Sequence, residues 1–209
     1  NVGRLNIDAG RLADAQEALT DALARYRRMD SSGGLMVTHQ HLGDVAFVRG
    51  DWVEAEAWWL LALAGYRESH RWPWATVQQQ LGCALARMSR QQEAQAAVLE
   101  SLRYCRRTGF EDLVAQASSA LASVLLCDAK GERSRARAHQ AALLLGAADQ
   151  LCRRLGHRRT GLAQRIDAAA KADAARLLGE TAWQNALSQG ARLTPEAAVA
   201  ATQGEAGLA

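Results

Sequence analysis

The sequence predicts an all-α protein, and three observations support this. Of 209 residues, 49% are apolar but only 5% are aromatic, and alanine, the strongest helix former, recurs throughout. The β-branched and aromatic residues that strands favour are sparse. The only two prolines in the sequence, Pro73 and Pro195, leave room for long uninterrupted helices.

The helices are predicted to form pairs that repeat about every 40 residues. Equivalent positions recur along the sequence as Ala15, Ala55 and Ala94, and as Leu23, Leu63 and Leu102. The first helix of successive pairs is expected to end near Gly50, Ser89 and Gly131. We expect Gly43 and Gly82 to lie where that helix touches its partner, opposite Ala55 and Ala94. One hairpin cannot bury its apolar face alone, so the pairs should stack into a right-handed α-α superhelix.

The landmarks of the second pair, Leu42-Gly43, Phe47, Gly50-Asp51, Ala55 and Tyr66, resemble the tetratricopeptide repeat. The period exceeds the usual repeat of about 34 residues. That longer form is similar to the C-terminal repeat domain of MalT-like, LuxR-type large ATP-binding bacterial regulators. The tail carries the more distinctive part of this resemblance, in Leu143–Leu151, Leu177–Gly179, Ala182-Trp183 and Leu193–Ala198.

The resemblance implies tetratricopeptide-like repeats over 1–156 and a helical cap of the same solenoid over 157–209, with flexibility expected of the last residues. It also implies a piece of a larger cytoplasmic regulator. The expected function is non-catalytic protein interaction or effector sensing in transcription regulation. A passive scaffold, or an accessory domain of a cyclase- or kinase-linked signalling protein, is the alternative. The fourth unit, near Ala115 to Leu145, departs from the pattern because it lacks the Gly and Tyr landmarks.

By resemblance, the first helix of each pair lines the concave face. Setting Leu42, Leu81 and Leu121 as equivalent gives the expected lining residues: Val37, Gln40, Asp44 and Phe47, then Thr76, Gln79, Cys83 and Arg87, then Gln116, Ser119, Ser123 and Leu126. This lining is polar and mostly uncharged. It is suited to hydrogen bonding with an extended segment, although an unoccupied surface is an equal reading.

Tryptophan is concentrated between positions 52 and 74, as Trp52, Trp58, Trp59, Trp72 and Trp74. These rings are expected either to pack between the second and third hairpins or to line an aromatic pocket. Trp72 and Trp74 flank Pro73 in a predicted loop, so this pair is the expected exposed part of such a pocket.

Other chemistry is not indicated. There is no phosphate-binding Gly-x-x-x-x-Gly-Lys-Ser/Thr loop, and His39 and His41 are spaced too closely to share a metal on one helix face. The four cysteines form no CxxC pair and are interpreted as helix-core residues of a reduced protein. Thr194-Pro195-Glu196 is interpreted as a helix start. The sequence therefore predicts no enzyme activity, cofactor, metal, nucleic-acid binding or membrane span.

The expected partner is a protein or peptide segment, including other domains of the same parent chain. A small-molecule effector is an alternative. A homodimer is a further alternative, through the first hairpin, where Val2, Leu5 and Ile7 lack an upstream neighbour.

Overall fold

The computed structural model describes residues 2–68, 73–129 and 131–203. Every regular element in these ranges is helical, and a short 3₁₀ turn, Gly131–Arg133, precedes α8. The helices are α1 Val2–Asp8, α2 Leu12–Arg28, α3 Ser32–Arg49, α4 Trp52–Glu68, α5 Pro73–Arg87, α6 Gln91–Thr108, α7 Glu111–Cys127, α8 Ser134–Leu155, α9 Gly161–Leu178, α10 Glu180–Gly190 and α11 Pro195–Gln203. None of these helices combines the length and apolar character that a bilayer span requires.

Consecutive helices pair as antiparallel hairpins, and the hairpins stack. The pairs are α1/α2, α3/α4, α5/α6 and α7/α8, and the second helix of each pair also contacts the first helix of the next. The first helices contact one another along the inner side, where α5 packs on α7 and α7 packs on α9. This is the α-α superhelical repeat fold that the sequence predicted.

The apolar core has two parts. The larger part extends from α3 to α11 and includes Trp59, Val98 and Leu144, which are almost completely buried. A smaller cluster joins α1, α2 and α3 through Ile7, Leu19 and Val45. Ile7 is therefore already covered within the first unit, whereas Leu5 is 59% exposed; the side chain of Val2 is outside the described part of the chain.

The predicted ends of the first helices are confirmed at Gly50 and Ser89. Gly50 caps α3 with φ of 89°, in the left-handed region that glycine adopts at little cost. Ser89 occupies the same place after α5 with φ of 62°, although it carries a side chain. The turn after α5 is therefore built with the same geometry but a less suitable residue.

The repeat glycines lie at helix contacts, as predicted, but one predicted partner was wrong. A Cβ atom on Gly82 would meet Val98 and would lie 2.9 Å from the Ala94 carbonyl oxygen. A Cβ atom on Gly43 would enter the indole of Trp59, not the expected patch at Ala55. The reason is that the fully buried Trp59 ring fills the space between α3 and α4 directly over Gly43.

The C-terminal helices continue the stack and then cross it. α9 packs on α7 and α8, in the position that the first helix of another pair would take. α10, in contrast, makes more contact with α8 than with α9. The crossing of α8 and α10 brings Gly146 against the backbone of Leu187 and Ala191, and Gly190 against the backbone of Leu143. α11 covers the end of this region through contacts with α8 and α7.

The first and last units also touch. Arg165 on α9 donates a hydrogen bond from Nη2 to the main-chain carbonyl oxygen of Ile7 on α1 (3.1 Å). The two residues are 158 positions apart in the chain. The inner side of the superhelix is therefore bridged where α1 meets α9.

Candidate functional site

The cleft around Arg87 is the candidate site, and it lies between the first helices of three successive units. α5 contributes Arg87, α7 contributes Ser123 and Leu126, and α9 contributes Asp173. Trp52, at the start of α4, forms one wall. The cleft has a volume of about 370 Å³. Three side chains predicted for the concave face are thus brought to one place by the stacking of α5 on α7.

The guanidinium of Arg87 is held between two aromatic rings. Its Cζ lies 5.1 Å from the centroid of the Trp52 ring and 5.5 Å from that of Phe47, at the distances of cation–π contacts. The Phe47 and Trp52 rings meet edge to face, with centroids 4.9 Å apart. Within the described ranges, Arg87 makes no hydrogen bond or ion pair, so its planar set of N–H donors is positioned but not used.

Asp173 supplies the opposite charge in the cleft, and it already has a partner. Its Oδ1 lies 3.2 Å from Nη2 of Arg176, one turn further along α9. Half of the Asp173 side chain is exposed. The cleft therefore combines one available cation, one carboxylate that is engaged elsewhere, and an aromatic wall.

Cys83 is buried on α5, four residues before Arg87, and is not a nucleophile. Burial raises the pKa of its thiol to about 12, although the charge of Arg87 and a hydrogen bond with Ser123 act in the opposite direction. The thiolate, which is the reactive form, is therefore not populated near neutral pH. Cys83, Cys105, Cys127 and Cys152 all lie in the described part of the chain and form no disulfide bond there.

The predicted lining residues of α3 face their own hairpin partner. Tyr66 donates to Oε1 of Gln40 (2.9 Å), and Nε1 of Trp59 donates to Oδ1 of Asp44 (3.3 Å) and to the Gln40 carbonyl oxygen (3.1 Å). Asp44 Oδ2 also lies 3.2 Å from Nδ1 of His41. Val37 is half-buried on the same helix. These polar groups fix α3 against α4 and are already paired.

The remaining predicted residues are divided between helix contacts and the cleft. Gln79 is buried, and its Nε2 donates to Ser101 Oγ (2.9 Å) and to the Leu113 carbonyl oxygen (3.2 Å). The Thr76 hydroxyl is buried without a hydrogen-bond partner, and Gln116 is half-buried on α7. Ser119 donates to Oδ1 of Asp167 on α9 (2.8 Å). Only Arg87, Ser123 and Leu126 of this part of the set line the cleft.

The described tryptophans do not share one pocket. Trp58 stacks on His39 with centroids 5.6 Å apart, and Trp59 is buried between α3 and α4. Trp74 meets Tyr104 edge to face at 5.4 Å, with Arg67 at 5.6 Å from its ring. Trp72 lies outside the described residues. The described rings of this cluster therefore pack within two hairpins, α3/α4 and α5/α6, and Trp52 is the ring that borders the cleft.

Sequence reasoning missed the contribution of α9. The 40-residue step from Leu121 continues to Leu162, which is buried at the start of α9. Extending the repeat by this one unit would have placed α9 beside α7, and with it Ala170 and Asp173 at the cleft. The signal was weak because α9 and α10 lack the Leu-Gly pair and the Tyr of the earlier units, although Gly179 ends α9 with φ of 79° as Gly50 ends α3.

A buried ionic network fixes α9 against α8. Arg159 Nη1 donates to Asp149 Oδ1 (2.8 Å), and Lys171 Nζ lies 2.8 Å from Asp149 Oδ2 and 2.9 Å from Asp167 Oδ2. Burial alone would raise the pKa of the Asp149 carboxyl, but the hydrogen bonds and charges of Lys171 and Arg159 hold that pKa below its usual value. Burial alone would lower the pKa of Lys171, but its bonds to the Asp149 and Asp167 carboxylates raise that pKa overall.

A larger cleft of about 470 Å³ lies near the start of α11. Four of its charged groups are paired with one another, as Arg106 with Glu196 (3.3 Å) and Arg154 with Glu111 (3.1 Å). Arg192 also lines this cleft and is exposed. Thr194 accepts a hydrogen bond from the Ala197 amide at the start of α11, which confirms its predicted capping role. In the described ranges, no three His, Cys, Asp or Glu side chains are grouped as a metal site.

The geometry defines a helical-repeat protein, and the comparisons specify the kind of repeat. Residues 35–107, which include α4, α5 and most of α3 and α6, match the family model described as tetratricopeptide repeat. No curated protein and no solved structure matches the chain. The matched segment supports a tetratricopeptide-like domain, and such repeats generally mediate protein–protein interaction and are generally non-catalytic.

Proposed function

We propose that this chain is the non-catalytic interaction and sensing domain of a cytoplasmic bacterial transcriptional regulator, and that it binds an extended protein segment in the Arg87 cleft. The segment belongs to a partner protein or to another domain of the same parent chain. Binding favours one conformation of the parent over another and so shifts the population of its active state.

The observation that carries the proposal is the position of Arg87. Its guanidinium is oriented by two aromatic rings and makes no hydrogen bond within the described ranges, although it borders a cleft. Arginine presents a planar fork that binds a carboxylate through two parallel hydrogen bonds. A guanidinium already fixed by Phe47 and Trp52 loses little side-chain entropy when it does so.

The rest of the cleft suits a peptide side chain and its main chain. Trp52 and Leu126 offer apolar contact, and the largely buried Ser123 hydroxyl, which already bonds to the Cys83 thiol, has a lone pair left to accept from an amide N–H. The ligand proposed is therefore an extended segment with one acidic residue for Arg87 and an apolar residue beside it. Arg87 is the single available cation in this cleft, whereas a site for a polyanion would need several.

The regulator context rests on the sequence resemblance of the tail to MalT-like, LuxR-type proteins. In that context 1–156 form the repeats and 157–209 form their cap. Sequencing the coding region upstream of Asn1 tests this part of the proposal. A nucleotide-binding domain there supports the regulator, whereas a cyclase or kinase domain assigns the chain to an accessory role.

Peptide display against the immobilised chain tests the binding site. Selected peptides should carry Asp or Glu at a fixed position, and Arg87→Gln should weaken their binding by about 10- to 100-fold, the cost of losing one charged hydrogen-bonding anchor. Arg107→Gln, an exposed arginine on α6, is the matched control and should leave binding unchanged. Equal affinity of the two variants would contradict the assignment of the site.

Thermal stability measured across a metabolite collection separates a sensor from a passive scaffold. A small molecule that binds only the folded chain raises its melting temperature. A response that disappears in Arg87→Gln supports a small-molecule effector in the same cleft. A peptide response with no metabolite response supports the scaffold.

A further inference from the structure

The outer face of α4 carries an unpartnered apolar stripe. Its members are spaced at i, i+4, i+7, i+8 and i+11, so they share one side of the helix, and all are exposed: Val53, Ala57, Leu60, Leu61 and Ala64. Val53 is 72% exposed, Leu60 51% and Leu61 52%. The stripe extends over about 16 Å of the helix.

The repeat fold does not require this stripe. The equivalent positions on α2 are Ala13, Glu17, Thr20, Asp21 and Ala24, and those on α6 are Gln92, Ala96, Leu99, Glu100 and Arg103. α2 has Thr20 and Asp21 where α4 has Leu60 and Leu61, and α6 has a half-buried Leu99 and the charged Glu100 there, so neither neighbour repeats the exposed apolar stripe. A contiguous exposed apolar face that its own fold does not explain indicates an interaction surface.

The charges around the stripe are separated along the helix axis. Outer helices α2, α4 and α6 each have an acidic residue in the first turn, namely Asp14, Glu54 and Glu93. The last turns of α2 and α6 are basic, with Arg25, Arg27 and Arg28 on α2 and Arg106 and Arg107 on α6, whereas the last turn of α4 contains Arg67 followed by Glu68.

α4 and α6 run side by side in the same direction, which places like charges at the same end. Glu56, near the start of α4, pairs with Arg90 at the start of α6 (2.6 Å), and Arg67, near the end of α4, pairs with Glu100 on α6 (3.7 Å). Both ends contain opposite charges, since Arg90 also pairs with Glu93 and Arg49 pairs with Glu54. The outer face therefore has a net excess of acidic groups where these helices begin and of basic groups where they end.

We propose that the stripe binds the same stripe of a second copy of this chain, with the two α4 helices antiparallel about a two-fold axis. An antiparallel arrangement sets the acidic end of each copy against the basic end of the other, whereas a parallel one sets like charges together. A surface that carries both signs at opposite ends is complementary to itself under two-fold rotation. A uniformly acidic or basic partner would meet repulsion at one end.

Along α4, the two-fold axis lies level with the middle of the stripe, between positions 58 and 59. Val53 then faces Ala64 of the second copy, and Ala57 faces Leu60 and Leu61 of the second copy. Small residues thereby meet large ones, the arrangement that lets two helices interdigitate. The stripe shares no residue with the Arg87 cleft, so this proposal does not depend on peptide binding there.

Light scattering after size exclusion, over a series of concentrations, tests the proposal. The wild-type chain is expected to be a dimer, and Leu60→Glu with Leu61→Glu should raise the dimer dissociation constant by at least about 30-fold. Because both side chains are half-exposed, helicity should be unchanged by circular dichroism. The control, Leu5→Glu with Met29→Glu, changes apolar residues elsewhere that are at least as exposed, and should remain dimeric.

Cross-linking tests the antiparallel register. In the dimer, two copies of Ala57→Cys lie near the axis and should be joined by a short bismaleimide, beyond the background of the wild-type cysteines. Two copies of Val53→Cys lie at opposite ends of the stripe and should not be joined.

Three results would overturn the proposal. The first is a wild-type chain that stays monomeric, which would leave the stripe to a different partner. The second is a dimer that is insensitive to the Leu60 and Leu61 changes. The third is more efficient cross-linking through Val53→Cys than through Ala57→Cys.

Discussion

Helices are brought together closely in two regions of this chain, but the contacting atoms differ. In the repeats, Gly43 faces the Trp59 side chain and Gly82 mainly faces that of Val98. Where α10 crosses α8, Gly146 and Gly190 face main-chain atoms of the opposite helix. A side chain can change rotamer when a methyl group is added opposite it, whereas a helix backbone moves only if the whole helix moves. The C-terminal crossing should therefore tolerate substitution less than the repeats.

Among glycine-to-alanine changes, the largest effect is expected at the crossing. Gly146→Ala places a Cβ against the backbone of Leu187 and Ala191, and should lower the free energy of unfolding by at least about 3 kcal/mol, because α10 must separate from α8. Urea unfolding measures this. Ala172→Val, a small-to-larger change on the exposed side of α9, is the control and should stay within about 0.5 kcal/mol. A similar small effect in both variants would contradict the close approach.

The same substitution in the repeats should cost less. Gly43→Ala gains about 1 kcal/mol of helix propensity but forces the Trp59 ring to move, for a net loss of about 1 kcal/mol. Gly43→Leu and Gly82→Leu, which cannot be accommodated, are expected to unfold their hairpins. Near-ultraviolet circular dichroism, which responds to the packing of all the aromatic side chains, Trp59 included, measures the change. A larger loss for Gly43→Ala than for Gly146→Ala would reverse the comparison.

The ionic network gives the C-terminal region a pH dependence. The pKa of Asp149 is lowered in the folded state, so its stabilisation is complete above the unfolded pKa of about 3.9 and is lost as pH falls through the folded value. The pKa of Lys171 is raised, so its contribution is present below about pH 10.4 and is lost at more alkaline pH.

Asp149→Asn should therefore lower stability at pH 7 by about 1 to 2 kcal/mol and flatten the acid side of the stability profile. Chemical unfolding from pH 2 to 7 checks this. Asp173→Asn breaks an exposed pair with Arg176 and should have little effect. Equal acid profiles for the wild type and Asp149→Asn would be evidence against the network as a source of stability.

The smallest effect concerns two equivalent turns. Ser89→Gly relieves a left-handed conformation in a residue with a side chain and should stabilise the chain by about 1 kcal/mol. Gly50→Ser introduces the same strain after α3 and should destabilise it by a similar amount. Paired thermal melts measure both. Changes of the same sign would show that the two turns are not equivalent.

The sequence predicted the fold from the alanine content and the 40-residue period, and it predicted the helix ends at Gly50 and Ser89. It placed Gly43 at a helix contact but chose Ala55 as the partner, because spacing alone does not show that the Trp59 ring turns inward. It also identified Arg87 and Ser123, but grouped them with Asp44 and Gln79, which the structure shows to be paired between helices.

What the sequence determined by itself was which residues share a helix face, because that depends only on the 3.6-residue period of a single helix. Which face meets a partner helix, and which is left open, was decided by the tertiary structure. Successive hairpins are rotated relative to one another, and this rotation accumulates along the stack. It is set by the volumes of side chains that are far apart in sequence, such as those at Trp59 and Gly146. For the same reason, only the folded chain could bring α9 beside Arg87, or place Arg165 against the carbonyl of Ile7.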